Sequence, residues 1–239
     1  MITLKEHLPE TKSHLVPLTR RSLAQDALAR IRHAIVAAEL AEGSPLPEDQ
    51  LAAQLGVSRV PIREALTQLE LEGLVEVDTR GRSRVRNFSK EGFEDVYSMR
   101  SALEMMSARL AVQRMTAADS ADLEAMIDKQ ATAVDLTDLS VQDVDLHERI
   151  IQITRHRQLL VCWKTIRSQI EVWLARAHRA QSALHLSSVE ITVPGHRRLL
   201  AALRSGDVKQ AEYEMNMEMI TFRDWILAGA AKQPPKRPE

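Results

Sequence analysis

Between residues 46 and 77 the chain reads LPEDQLAAQLGVSRVPIREALTQLELEGLVEV, and the punctuation of this stretch leaves few folds open. Pro47 can open a short helix over Glu48 to Leu55, because a proline at the first helical position gives up no intrahelical hydrogen bond. Gly56 follows where a left-handed C-terminal cap is wanted, and Ser58 is placed to cap a second helix. In that second helix Ile62, Leu66 and Leu69 share a face, Pro61 falls in the tolerant first turn, and Gly73 ends it. Two short amphipathic helices separated by a tight glycine turn bury their apolar faces on each other.

The flanks complete the unit. Upstream, Leu23, Ala27, Ile31, Ala34 and Ile35 form a helical stripe, with Ser22 and Gln25 at capping-box spacing, and the pattern fades at Glu42-Gly43-Ser44-Pro45. Downstream, residues 74–78 alternate apolar and acidic as a half-buried strand does, residues 79–83 make a glycine-centred turn, and residues 84–88 return. Three helices followed by a hairpin are the outline of a winged helix-turn-helix, expected over residues 21–88 behind an N-terminal arm of 1–20. Beyond Ser89 the strand pattern stops. Six helices are expected near 90–112, 117–134, 137–154, 157–180, 186–205 and 207–229. Thr116 and Asp119 cap the second of these, Pro194 lies at the start of or inside the fifth, and Gly206-Asp207 separates the last two. The fold class expected is mainly α: a winged head, an all-α bundle over 89–230, and a mobile tail over 231–239.

Chemistry concentrates in two places. Arg59 and Arg63 stand one helical turn apart, opposite the Ile62-Leu66-Leu69 stripe. A reading helix needs this arrangement, and arginine suits both guanine edges and phosphates. Ser58 adds a hydroxyl or backbone donor for phosphate. The hairpin supplies Arg80, Arg82, Arg84 and Arg86, expected on one side of an extended segment, with Gly81 at its tip allowing close approach to a duplex. In isolation the two helix arginines would read as surface partners of Glu64 or Glu70. The order helix, glycine turn, serine-capped helix, arginine-rich hairpin favours DNA. Since 32 basic residues meet 33 acidic ones, such a surface has to be a local patch whose binding depends strongly on salt.

In the helical half, Asp143 and His147 are four residues apart and share a helix face. The pair suits either a surface ion pair or one divalent ion, and His196 and Glu218 lie on other helices that can converge with it. Trp163, Trp173 and Trp225 read as core or interface, and methionines such as Met105, Met106, Met215, Met217 and Met219 as core filler. With aromatics at 3%, base-stacking platforms are not expected. A single cysteine, Cys162, excludes an internal disulfide framework. No apolar run approaches the roughly 20 residues of a membrane span, and the N-terminus lacks a signal-peptide core, so a soluble, cytoplasmic protein is expected.

The stretch LAAQLGVSRVPIREAL (51–66), EGLV (72–75) and the wing Gly81 with Val85 resemble the GntR family of bacterial transcription regulators, over residues 21–86. The resemblance implies that Arg59, Arg63 and Gly81 lie at the DNA. Other members often carry a basic residue on the preceding helix; here that region reads Glu48-Asp49-Gln50, and no such contact is carried over. The rest is similar to the FCD ligand-sensing domain of the FadR-like subfamily. Arg100, Leu103 and Glu104 match its R-x-x-L-E opening, Asp143 to His147 its D-x-x-x-H, and residues 195–211 its H-x-x-L-x-x-A segment before Gly-Asp. By that resemblance Asp143, His147 and His196 occupy three of four metal-binding positions, and Glu218 stands where the fourth, a histidine, usually falls. Two outcomes are open: a mixed site for zinc, nickel or manganese, or a site without metal that takes ligand directly. Arg100 is either a carboxylate anchor or the ion-pair partner of Glu104, and Arg167 and His178 are weaker pocket candidates. The expected function is an effector-controlled regulator, a repressor acting as a homodimer on an inverted-repeat DNA operator, with residues 87–92 as hinge and a small organic acid as effector. The alternatives are an all-α metal-dependent hydrolase, which no nucleophile elbow, P-loop or dinucleotide motif supports, and an effector-blind DNA-binding dimer.

Overall fold

The computed structural model describes residues 23–228; the arm expected at 1–20, the capping role of Ser22 and the tail at 231–239 lie outside them. The head contains α1 (Leu23–Val36), α2 (Glu48–Leu55), α3 (Arg59–Leu71), β1 (Val75–Val77) and β2 (Ser83–Val85). Its strands pair antiparallel, with Val75 opposite Val85 and Glu76 opposite Arg84. The outer edge of β2 is covered by residues 43–46, whose backbone bonds to Ser83 and Val85 at 2.9 Å, so that edge of the sheet is closed to another chain. The return strand therefore begins one residue earlier than expected and stops at Val85, because Asn87 and Phe88 leave the sheet toward the helical half.

Two start signals work differently from the sequence expectation. Pro47 is the extended residue before α2 and not its first helical one. Ser58 holds the N-cap position of α3 in extended conformation but makes no side-chain capping bond. A serine cap bonds the backbone N–H of the second or third helical residue, and here the third is Pro61, which has none. Gly56 does close α2 in the left-handed region, at φ 67°.

Six helices follow: α4 (Lys90–Arg114), α5 (Ala117–Ala131), α6 (Leu136–Ile153), α7 (Arg157–Ala183), α8 (Ser188–Ser205) and α9 (Val208–Ala228). Thr116 and Asp119 form the complete capping box, with both reciprocal hydrogen bonds present. Pro194 lies inside α8. One apolar cluster within the bundle joins Leu123, Ile127, Ile150, Leu199, Met215 and Met219. Met106, expected as filler, is instead exposed. A second cluster runs through both halves, from Ile31, Leu66 and Val85 to Phe88, Phe93, Trp163 and Trp173.

The halves are stitched along α7. Ser168 Oγ donates to Glu72 at 2.8 Å, and Glu72 also accepts from Arg32. Arg179 donates to the Val36 carbonyl at 2.9 Å, and Arg176 pairs with Glu42 and reaches the Phe88 carbonyl. Gly73 has φ +73° and the Gln169 amide against it, so a side chain there meets both backbone strain and a clash. The stretch expected as a hinge is tied down at Phe88, whose ring meets Trp173 edge-on.

Candidate functional site

The reading face is built on α3. Its apolar residues Ile62, Leu66 and Leu69 are buried on the head core, which turns Arg59 and Arg63 outward, with side chains 57% and 64% exposed. Neither pairs with Glu64 or Glu70. Both converge on Glu48 at the start of α2, at 3.2 and 2.9 Å, and Arg59 also reaches Asp49 at 3.0 Å. The acid thus comes from the neighbouring helix, at the Glu48-Asp49-Gln50 segment that lacks a basic residue. These contacts are exposed and exchangeable, so both guanidinium forks can pass to phosphate or base without unfolding anything.

The wing differs from a simple alternating strand. Residues 78–82 form a turn around the Asp78 carboxylate, which accepts the backbone N–H groups of Arg80 and Arg82 and the side chain of Arg82. Those bonds hold Asp78 below the usual carboxylate range. Arg84 pairs across the ladder with Glu76 at 2.8 Å. Arg82 and Arg84 are thereby partly neutralised, and residues 78–82 form a turn where an extended segment was expected, so that of the four arginines Arg84 lies within a strand. Gly81 sits at the exposed tip with φ +75°, and Arg80 makes no ion pair among the described residues.

The second site lies inside the bundle. Asp143 and His147 on α6 and His196 on α8 come together, each buried, each offering a ligand atom within 4.8 Å of the others. Asp143 carboxylate oxygens lie 3.6 Å from His147 Nε2 and 3.7 Å from His196 Nε2. Those separations are too long for good hydrogen bonds. They match two ligand atoms sharing one ion, since bonds of about 2.1 Å at tetrahedral angles put ligands roughly 3.4 Å apart. Asp143 Oδ1 is buried with no hydrogen-bond partner, as an atom awaiting a cation would be. Glu218 on α9 lines the same cavity, and its carboxylate lies directly over Gly195, where a Cβ would strike it.

Further contacts orient the two rings. His147 Nδ1 faces the buried carboxylate of Glu104, and His196 Nδ1 bonds Gln130 Oε1 at 2.8 Å, which leaves both Nε2 atoms for the centre. Metal-binding histidines are held in this way through their second nitrogen. Burial alone would raise the Glu104 carboxyl, but the Arg100 guanidinium and His147 outweigh it and hold it well below the usual range. His147 is raised, because Glu104 overcomes its burial. Burial lowers His196 to about 4, so this ring is neutral and available as a ligand. Burial also lowers His178, which lines the cavity beside Ser140.

Of the two roles that the sequence left open for Arg100, the ion pair with Glu104 is present. Arg100 Nε bonds Glu104 at 2.6 Å, while Nη1 is buried without a partner in a residue that lines the cavity. Arg167 does not line this cavity; it forms ion pairs with Asp145, Glu148 and Glu171. Trp163 and Trp173 are core, as expected, whereas Trp225 is a wall of the cavity. Gln130, Gln181 and Phe222 are site residues that sequence reasoning missed. The available signal was a polar residue on a buried stripe, as in Leu123-Ile127-Gln130 and Leu174-Ala177-Gln181.

Comparison with known proteins gives a consistent picture. The family model "Bacterial regulatory proteins, gntR family" matches residues 23–85, and that for the FCD domain matches residues 95–219. The chain is 27% identical to the probable D-xylose utilization operon transcriptional repressor of Paenarthrobacter nicotinovorans, covering 86% of this chain and 89% of that one. It is 25% identical to the gluconate operon transcriptional repressor of Bacillus licheniformis, covering 84% of each. Among solved structures, E. coli McbR/YncC aligns with a TM-score of 0.67 at 23% identity, covering 84% of this chain and 94% of that one. A GntR regulator from Rhodococcus sp. RHA1 aligns with a TM-score of 0.71 at 18% identity, covering 88% and 99%. These two likenesses concern the fold. The family comprises transcription regulators and not enzymes, which sets the hydrolase alternative aside. With its winged head matching one model and more than half of its length matching the other, the chain belongs to the GntR family of bacterial transcription regulators and carries an FCD domain as its helical half.

Proposed function

We propose that this chain is an effector-responsive repressor, acting in the cytoplasm as a homodimer that binds an inverted-repeat operator through Ser58, Arg59, Arg63, Arg80, Gly81 and Arg82. The helical half holds a divalent ion on Asp143, His147, His196 and Glu218, and a small organic acid on Arg100. The observation that carries this reading is the pairing of an outward arginine couple on α3 with a buried centre whose two histidines are locked by Glu104 and Gln130. A bound ion would supply positive charge toward an acid's oxygen. The chain's own part is to fix Asp143 and the two Nε2 atoms, exclude water with Phe222 and Trp225, and present Arg100. Exposed Met99 and Met106, two turns apart on α4, give the helical half an apolar face for a second copy.

The test uses the intact protein. Elemental analysis after incubation with zinc, nickel and manganese is expected to find one ion per chain, reduced in His147→Ala. In a mobility-shift assay Arg63→Ala is expected to lose operator binding while remaining a dimer by sedimentation. Retained operator affinity in Arg63→Ala, or wild-type protein that takes up none of the three metals, would overturn the corresponding half of the reading.

A further inference from the structure

Buried polar atoms without a hydrogen-bond partner are scarce in folded proteins, and a group of them facing one space describes what that space binds. Five such atoms belong to residues lining the cavity; His147 Nδ1 faces the Glu104 carboxylate, and the other four are Arg100 Nη1, Asp143 Oδ1, Gln181 Oε1 and Trp225 Nε1. All four side chains are more than nine-tenths buried. With Asp143 facing the ion, the remaining atoms comprise two N–H donors and one acceptor. A carboxylate satisfies the donors, because its oxygens accept from both Arg100 and Trp225. With the amide as it stands, Gln181 Oε1 calls for a hydrogen that a plain carboxylate does not carry. The space is about 40 Å3, bounded by the bulk of Leu174, Phe222 and Trp225, so the ligand backbone is short.

We propose that the ligand of this cavity is a short-chain carboxylate bearing a hydrogen-bond donor, a hydroxyl or an ammonium group, and that Gln181 is the residue that reads the donor. This rests on the reading of the cavity as the effector site. A plain acid would seat its carboxylate and leave Gln181 buried and unpaired, which weakens binding about ten-fold to a hundred-fold.

The probes are propionate, lactate and alanine, which share a carbon skeleton and differ in one substituent. Calorimetry on the full chain, with one equivalent of bound manganese and again without metal, is expected to show lactate or alanine binding at least ten-fold tighter than propionate. Whichever of the two is preferred identifies the donor as hydroxyl or ammonium. In Gln181→Met, checked for an unchanged fold by circular dichroism, the preference should collapse while propionate binding persists. Equal affinities for all three acids in wild-type protein overturn the proposal without needing the variant. A preference that survives Gln181→Met also overturns it, since the ion and not Gln181 would then be reading the donor. Binding of none of the three overturns it as well. The parent reading fails separately: if an acid binds equally well to Arg100→Met, Arg100 is not the anchor, whatever Gln181 does.

Discussion

Gly195 offers a test in which stability and metal binding should move in opposite directions. The residue lies inside α8, next to His196, with ordinary helical backbone, so alanine there is locally welcome. Replacing a mid-helix glycine by alanine contributes up to about 1 kcal/mol, worth roughly 2–4 °C in a chain of this size. The new Cβ would lie within 2.8 Å of all three carboxylate atoms of Glu218. That carboxylate ends a flexible side chain, so it swings aside at little cost to the fold and withdraws its oxygen from the centre. Metal-free Gly195→Ala is therefore expected to melt no lower than wild type and up to about 4 °C higher. Its affinity for zinc or manganese, measured by competition with a fluorescent chelator, should fall about ten-fold to a hundred-fold, as when a group supporting a metal site is lost. Glu218→Gln is the companion variant, expected to lose metal affinity without the gain in stability. If Gly195→Ala binds metal as tightly as wild type, Glu218 is not a ligand and the close approach at Gly195 is packing alone.

Arg80→Ala should weaken operator binding evenly across sequences and, in a dimer that loses one phosphate contact from each head, reduce the slope of log K against log salt by about 2; an unchanged slope in a mobility-shift titration excludes the wing arginine from the DNA. Glu104→Gln strands Arg100 and His147 in the core, so denaturant unfolding should show a loss of about 3 kcal/mol and metal titration a weaker site; wild-type values for both would show that the carboxylate does no orienting. Glu72→Gln tests the seam between the halves: burial raises the Glu72 carboxyl, but Arg32 and Ser168 outweigh it and hold it below its ordinary value of 4.5. A lowered carboxyl stabilises above its unfolded value and loses that contribution as pH falls. The melting difference between wild type and Glu72→Gln should thus hold from pH 8 to 6 and close below about pH 4; a gap that widens toward acid contradicts the assignment.

How much of this was legible beforehand depended on whether the determinant was local. The helix count and most boundaries followed from apolar period and end signals, and the Thr116–Asp119 box formed as read because its partners are three residues apart. Asp143 and His147 were found by the same local rule. Whether His196 joined them depended on how α6 packs on α8, which spacing does not encode. The pairing of Arg59 and Arg63 with Glu48 is not legible from α3 alone, because the acid stands eleven and fifteen residues away across a turn. Ser58 fails as a side-chain cap through a neighbour, Pro61, which has no N–H to offer it. Gln130 and Gln181 looked like ordinary helix residues. Only when Leu123, Ile127 and Leu174 prove buried does a glutamine in the same stripe become conspicuous.

The sparse aromatic content acquires meaning once placed. The sequence holds three Phe, three Trp and two Tyr, and five of these form one continuous cluster between head and cavity. Phe88, just after the wing, meets Trp173 at 6.0 Å between ring centres; Trp173 meets Phe93 at 5.0 Å; Phe93 meets Phe222 at 5.5 Å and stacks on Tyr97. The Arg100 guanidinium lies 4.7 Å over Phe222. Helix α7 has the same duality: Ser168, Gln169, Trp173 and Arg176 face the head, while Leu174, Ala177, His178 and Gln181 line the cavity on its other side. An effector regulates DNA binding only by favouring one arrangement of the heads over another, with couplings typically of 1–3 kcal/mol. Interlocked rings change by discrete repacking rather than by gradual deformation. An occupant that engages Arg100 acts on the residue stacked over Phe222, and three further ring contacts separate Phe222 from the backbone that leads out of the wing. A loose tether between the halves would leave the two sites indifferent to each other; here Phe88, Glu42 and Glu72 clamp the junction, and the ring cluster runs in unbroken contact from it to Phe222 in the cavity wall.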